Sequence, residues 1–215
     1  MTDPYVRQDT ELIFVRHGQT ESNVERRFMG HLDSPLSALG REQAEAVARR
    51  VGAMEVGALY TSDLGRAAAT AATVSATCGV PAVQDARLRE RHAGIFQGLL
   101  ISEARERFPD HFSEMEEPDP STSVPGGESG FQVRARLALL LDEVVKRHPG
   151  QRVVLVTHGI VIRTLLWHFL ETSYALTRRA RVDNTSLTVF RSTSGKWALQ
   201  TWNDTAHLAA PNPLG

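Results

Sequence analysis

Two histidine–glycine pairs stand out among the residues able to do chemistry: His17-Gly18, preceded by Arg16, and His158-Gly159. A neutral imidazole acts as nucleophile or base near neutral pH. A guanidinium offers a rigid fork of donors that fits phosphate or carboxylate. Glycine lets backbone approach a ligand closely and permits positive φ. Arg16-His17-Gly18 therefore describes an oxyanion site with a nucleophile inside it, and Thr20 and Asn23 add neutral hydrogen-bonding groups within one turn. Arg66 and Glu90 sit at two further junctions between predicted elements. Each residue has a plainer reading: His158 as a capped core histidine, Arg66 complementing a nearby acid such as Asp63, Glu90 paired with Arg87 or Arg89. Their coincidence at one edge of a sheet favours chemistry.

The elements must deliver these groups to one place. Leu12 to Val15 is a short apolar run that predicts a strand buried on both faces, ending at the Arg-His-Gly turn. Arg152 to Thr157 is the strongest strand signal and ends at His158-Gly159 in the same way. If the two are neighbours in a parallel sheet, both imidazoles emerge at its carboxyl edge, where open α/β sheets bind ligands. Between them, Ser37 is a plausible N-cap for a helix to about Val51, with Ala44, Val47, Ala48 and Val51 on one face and Gly52 as a stop. Ala58–Ser62 reads as a strand, Asp63 as the cap of an alanine-rich helix ending near Cys78-Gly79, and Val80–Gln84 as a third strand. The alternation predicts an α/β fold: a three-layer α/β/α sandwich with a mostly parallel sheet.

From Gly94 to Gly130 the pattern changes to one short helix at Leu99–Phe108 and an acidic, proline-containing stretch. Residues of about 92–128 read as a flap inserted in one domain spanning 1–215, too short to bury a core of their own. Ser129 starts a long helix that His148-Pro-Gly150 ends, and Ser186–Arg191 with Trp197–Trp202 resembles a hairpin around Ser194-Gly195.

Composition narrows the functional classes. The 215 residues are 41% hydrophobic and 23% charged with net charge -1, which gives no argument for nucleic acid or an anionic membrane as partner. One cysteine, Cys78, rules out an internal disulfide. The polar first ten residues hold no signal-peptide core and no run reaches the length of a membrane span, so a cytoplasmic location is expected. A cysteine-phosphatase loop would need Arg six residues after Cys78, where Gln84 stands. There is no nucleotide-binding Gly-x-x-x-x-Gly-Lys-Ser/Thr loop and no metal-ligand spacing.

Leu12-Ile-Phe-Val-Arg-His-Gly-Gln-Thr-Glu-Ser-Asn23 resembles the signature of the histidine phosphatase superfamily, the phosphoglycerate mutase-like proteins. Tyr60-Thr-Ser-Asp-Leu-Gly-Arg-Ala67, Leu88-Arg-Glu-Arg-His-Ala-Gly-Ile-Phe-Gln-Gly98, Pro125-Gly-Gly-Glu-Ser129 and Val156-Thr-His-Gly159 follow in the family's order, so the resemblance covers about residues 11–190. It implies that His17 accepts the phosphoryl group, that Arg16, Arg66 and His158 surround it, that Asn23 contacts it, and that Glu90 is the proton donor to the leaving oxygen. The candidate catalytic set is then His17, Glu90, His158, Arg16 and Arg66. The candidate binding set is Arg16, Gly18, Thr20, Asn23, Arg66, Arg91 and Gly159. No metal or cofactor is implied, because two guanidiniums and an imidazolium can supply the charge that phosphoryl transfer needs. His17 is expected to donate one ring nitrogen to a backbone carbonyl. Glu90 must be protonated at neutral pH, which calls for burial or an anionic ligand beside it.

Within the family the choice lies between mutase and phosphatase. Glu90-Arg91-His92 and Gly98 are mutase-like, and Arg91 could take a substrate carboxylate. The mutases carry a tyrosine where this chain has Ala93 and a lysine where it has Ile101, and their Arg-Arg-Ser-Tyr segment is missing. Residues 103–119 are acidic, which disfavours a second phosphate. The expectation is a phosphatase for a small phosphomonoester, with a mutase or a phosphate-binding module as alternatives. The oligomeric state, a homodimer included, is left open.

Overall fold

The computed structural model describes residues 9–117, 119–193 and 196–209. Among them, strands β1 (Glu11–Arg16), β2 (Ala58–Thr61), β3 (Ala82–Gln84), β4 (Arg152–Thr157), β5 (Leu187–Thr193) and β6 (Lys196–Asp204) form one sheet in the order β3-β2-β4-β1-β5-β6. The first four are parallel, while β5 runs antiparallel to β1 and β6 antiparallel to β5. The hairpin is as expected; its Ser194-Gly195 turn lies outside the described residues.

The period-two rule explains how β1 serves two cores. Leu12 and Phe14 pack with Leu137, Leu140 and Leu141 of α6 (Gly130–Arg147) and with Val161, Ile162 and Leu165 of α7 (Gly159–Leu170). Ile13 and Val15 point the other way, to Val47, Ala48 and Val51 of α2 (Ala38–Gly52) and to Ala67, Ala71 and Val74 of α3 (Gly65–Cys78). None of Leu12 to Val15 is more than 1% exposed. Each such side chain contributes about 1.5–3 kcal/mol before entropy is counted, so the strand that ends in His17 is among the most firmly held. The result is the expected α/β/α sandwich. No helix among the described residues is long and apolar enough to cross a membrane.

Capping follows the sequence at two helices and departs from it at a third. Ser37 Oγ accepts from Gly40 N at 3.0 Å to start α2, and Ser129 exchanges bonds with Gln132 to start α6. Asp63 does not cap α3. The orphan N–H groups of Gly65 and Arg66 are taken by Asp33 from across the site, at 2.8 and 3.3 Å. Asp63 instead holds Arg89. A short helix unread in the sequence, α1 (Glu21–Glu25), follows the Arg-His-Gly turn.

The 92–128 segment carries two helices where one was expected, α4 (Ile101–Arg107) and α5 (Pro109–Glu116), because Pro109 cannot continue α4 but suits the first turn of a new helix. The segment also corrects the expectation that it is too short for a core. Phe96, Ala104, Phe112 and Val124 are buried together, and Phe28 reaches in from outside the segment, 5.4 Å from the Phe96 ring. Gly94 makes this possible: its φ is +50°, and a Cβ there would strike the Pro125 carbonyl.

Candidate active site

β1 and β4 are in register, Arg16 opposite Thr157, so His17 and His158 leave the sheet side by side with ring centroids 5.1 Å apart. His17 is 4% exposed and its Nδ1 lies 2.7 Å from the Gly18 carbonyl. A carbonyl only accepts, so Nδ1 carries the proton and Nε2 keeps its lone pair. Burial, then the charges of Arg16 and Arg66, hold the imidazole pKa well below 6.5. The imidazole is neutral and its tautomer fixed by a backbone carbonyl, as expected.

His158 is fully buried and neither ring nitrogen has a hydrogen-bond partner among the described residues. Burial first, then His17 and the nearby arginines, push its pKa well below 6.5. Among these neighbours alone the His158 ring is neutral and offers one N–H donor. Positive charge comes from the guanidiniums. Arg66 is 3% exposed and donates to the carbonyls of Leu32 at 2.8 Å and Gly30 at 2.9 Å. Arg16 donates from Nη1 to Val182 O at 2.6 Å, and its buried Nε is unpartnered. Burial lowers the pKa of both arginines, a cost that an anion between them would offset.

Glu90 joins this edge from the turn after β3. One carboxylate oxygen accepts from Arg91 N at 2.9 Å and the other from Ile160 N at 3.3 Å, in the first turn of α7. The plainer pairings fail for Glu90, while Arg66 does keep a nearby acid, though not Asp63. Arg87 binds Asp85 and Glu143, Arg89 binds Asp63, and the nearest carboxylate to Arg66 is Asp33 at 3.9 Å.

The remaining expected binders divide. Asn23 Oδ1 accepts from Thr20 N at 3.1 Å and Asn184 Nδ2 at 3.4 Å, which leaves the Asn23 Nδ2 hydrogens for a ligand. Thr20 is wholly buried and its hydroxyl accepts from Asn23 N, which caps α1 and leaves its O–H to donate. Gly18 is needed for space and not for positive φ, because a Cβ would run into the Gly40 carbonyl. Gly159 opens α7 beside Arg16, with room of 3.7 Å from a Cβ to Arg16 Nε. Arg91 spends two donors on the carbonyls of Glu128 and Thr122. Among the described residues no three His, Cys, Asp or Glu side chains gather as metal ligands.

A family description, "Histidine phosphatase superfamily (branch 1)", matches residues 12–205. The chain belongs to the histidine phosphatase superfamily. It is an enzyme of the histidine phosphatase type. Among its relatives, "Phosphoglycerate mutase-like protein 4" of Arabidopsis thaliana is 39% identical over 92% of this chain and 86% of the relative. The "Metal-independent phosphoserine phosphatase" of the same plant is 36% identical over 94% of this chain and 84% of the relative. Among solved structures, YhfR of Bacillus stearothermophilus superposes with a TM-score of 0.87 at 36% identity, covering 93% of this chain and all of that one. A mycobacterial glucosyl-3-phosphoglycerate phosphatase solved with VO3 does so at 0.82 and 36%, covering 91% and 99%.

This member of the superfamily also places residues that the sequence did not single out. Asn184, just before β5, donates to the His17 carbonyl at 2.9 Å as well as to Asn23. Beside Glu90 opens a cleft of about 180 Å³ whose lining includes Phe28, Met115, Ile160, Arg91, Arg163 and Arg178 but no carboxylate. Arg178 is tied to the carbonyls of Met115 and Glu117. Arg163 has no hydrogen-bond or ion partner among the described residues, and its Nε is buried. Three of the acidic residues of α4 and α5 are spent elsewhere: Glu103 caps α4, Glu114 meets His111 and Glu116 meets Arg105. The charge argument against a second anion therefore does not carry into the fold. Arg163 follows His158 by five positions, a spacing that one turn and a half of helix explains but that nothing in the sequence marked.

Proposed function

We propose that this enzyme hydrolyses a small phosphomonoester that carries a second acidic group, through a phosphohistidine at His17. In the first step His17 Nε2 forms a bond to phosphorus as the bond to the leaving oxygen breaks, and Glu90 gives that oxygen a proton. In the second, Glu90 takes a proton from water as the water oxygen attacks phosphorus and the P–N bond breaks, which frees phosphate and restores neutral His17. Arg16, Arg66, the His158 N–H and Asn23 Nδ2 supply donors around the transferred group, the form of catalysis that phosphoryl transfer chiefly uses. The observation that carries this reading is His17 itself: a buried imidazole whose Nδ1 proton is committed to the Gly18 carbonyl, beside a second imidazole with no partner of its own.

The acidic leaving group is supported by the arginine-lined cleft. Relatives named for phosphoserine and for glucosyl-3-phosphoglycerate point the same way. A mutase stays as a second reading, because a cleft with a free guanidinium suits a bisphosphate and one relative is named mutase-like. The test is phosphate release from phosphoserine, 3-phosphoglycerate, fructose 6-phosphate and 4-nitrophenyl phosphate by EDTA-treated enzyme, with His17→Ala alongside. Release that survives EDTA and vanishes in the variant, with the two acids turned over best, supports the proposal. Interconversion of phosphoglycerates with bisphosphoglycerate and little release would replace it with the mutase.

A further inference from the structure

The acid at this site is a side chain on an irregular turn, and turns do not hold geometry without help. Residues 87–92 are gripped from three directions. Thr157, the last residue of β4, donates its hydroxyl to Leu88 O at 2.7 Å. Arg136, in the middle of α6, donates to Arg87 O at 2.7 Å and to Glu90 O at 3.0 Å. His31 Nε2 donates to the same Glu90 carbonyl at 2.7 Å.

Arg136 is in turn fixed by Glu128, bidentately, at 2.9 and 3.1 Å. Glu128 also accepts from His92 N at 2.8 Å, donates its own N–H to His92 O, and lends its carbonyl to Arg91. Both side chains are mostly buried, Arg136 17% and Glu128 21% exposed. Burial opposes the charge of Glu128, yet its bonds from Arg136 and His92 hold its carboxyl below the ordinary range. A buried pair of this kind often adds nothing to stability over apolar residues of the same size. Here each partner has a second task, and both tasks end on the turn that carries the acid: Arg136 on Arg87 O and Glu90 O, Glu128 on His92.

We infer that Arg136 and Glu128 are positioning residues for Glu90, setting the distance of its carboxyl from the leaving oxygen by holding the 87–92 turn on either side of it. The inference rests on the reading of Glu90 as the acid, and leaving-group chemistry separates the two. A proton donor matters for a poor leaving group, such as the hydroxyl of phosphoserine, and hardly at all for 2,4-dinitrophenolate, which departs unprotonated.

The variants are Arg136→Lys, which keeps the charge but not the fork, and Glu128→Gln, which keeps the shape but not the charge. Glu90→Gln serves as reference, all in the full chain. On phosphoserine, or on whichever alkyl ester of the panel the enzyme turns over best, kcat/KM, which reports the step that expels the leaving group and not the later attack of water, should fall about 10- to 100-fold in both variants, a part of the 10²–10⁴-fold that general acid catalysis supplies. On 2,4-dinitrophenyl phosphate it should fall less than about threefold, and inhibition by inorganic phosphate should not change. If Glu90→Gln itself shows no leaving-group dependence, Glu90 is not the acid and the inference falls with it. If Glu90→Gln shows it but the folded variants lose both substrates equally, the grip is structural only and the inference alone is overturned. Thermal melting identifies a variant that fails to fold, and the other variant then decides.

Discussion

The two ends of this site are built differently. At the phosphate end, His17 and His158 extend parallel strands that are hydrogen-bonded to each other, and their relative position follows from register alone. At the leaving-group end, the cleft draws Phe28 from a loop, Arg91 from a turn, Met115 from a short helix and Arg163 from the second turn of α7. The first is preformed by elements whose cores bury nearly every apolar side chain. The second depends on a small satellite cluster around Phe96 and Phe112 and on guanidiniums tied to carbonyls. Chemistry common to all substrates belongs on the rigid end, and discrimination belongs where loops can change without moving the nucleophile.

Damage to the first end should therefore be blind to substrate, and damage to the second should not. The largest effect is expected of His17→Ala, which removes the atom that is phosphorylated. Loss of all measurable turnover on every ester is the outcome, and a residual rate above about one part in 10⁴ of wild type would contradict covalent catalysis there. Arg163→Gln should raise KM about tenfold for the acidic ester, the value of one charge-assisted contact, and leave 4-nitrophenyl phosphate unchanged. An equal rise on both esters would erase the distinction between the ends.

Acid sensitivity sharpens the comparison. The folded pKa values of His17 and His158 lie well below 6.5, so the unfolded chain binds more protons than the folded one as pH falls below about 6.5. The stability they contribute is full above that pH and is lost on acidification. Urea midpoints should drop between about pH 6.5 and 5 in wild type and drop less in His158→Gln. The activity of wild type should meanwhile persist below the ordinary imidazole range, since the nucleophile stays unprotonated. The smallest effect is expected of Phe112→Leu in the satellite cluster. A cost of about 1 kcal/mol or less to the global midpoint, with a measurable change in KM, would show that this cluster shapes the cleft rather than the fold.

What the sequence made legible follows the same division. Leu12–Val15 and Arg152–Thr157 are apolar runs stopped by His-Gly, and a pattern of that kind carries its own position in the sheet. The helix from Ser37 and the helix from Ser129 announced themselves by their caps. Asp33 as the cap of α3, Asn184 behind Asn23, and Arg136 behind Glu90 were not legible, because each acts over 30 residues or more and no local rule pairs them. The capping task of Thr20 was hidden for a related reason: a hydroxyl beside an anion site and a hydroxyl starting a helix are the same residue in a sequence. The acidic run at 103–119 shows the limit of such counting. Charge counted along a chain says nothing of which way the side chains face, and here none of them lines the cleft.

The contact between Gly18 and Gly40 has a consequence for how such a chain can change over time. The nucleophile turn and the start of α2 meet backbone to backbone, and a side chain at Gly40 would in turn strike the Gln19 backbone. Neither position can accept a methyl group first and wait for the other to adjust, since each blocks the space the other would need. The pair is a lock without an intermediate step: drift is free to rewrite the cleft, the flap and the surface, while the approach of α2 to the catalytic turn is inherited whole or lost.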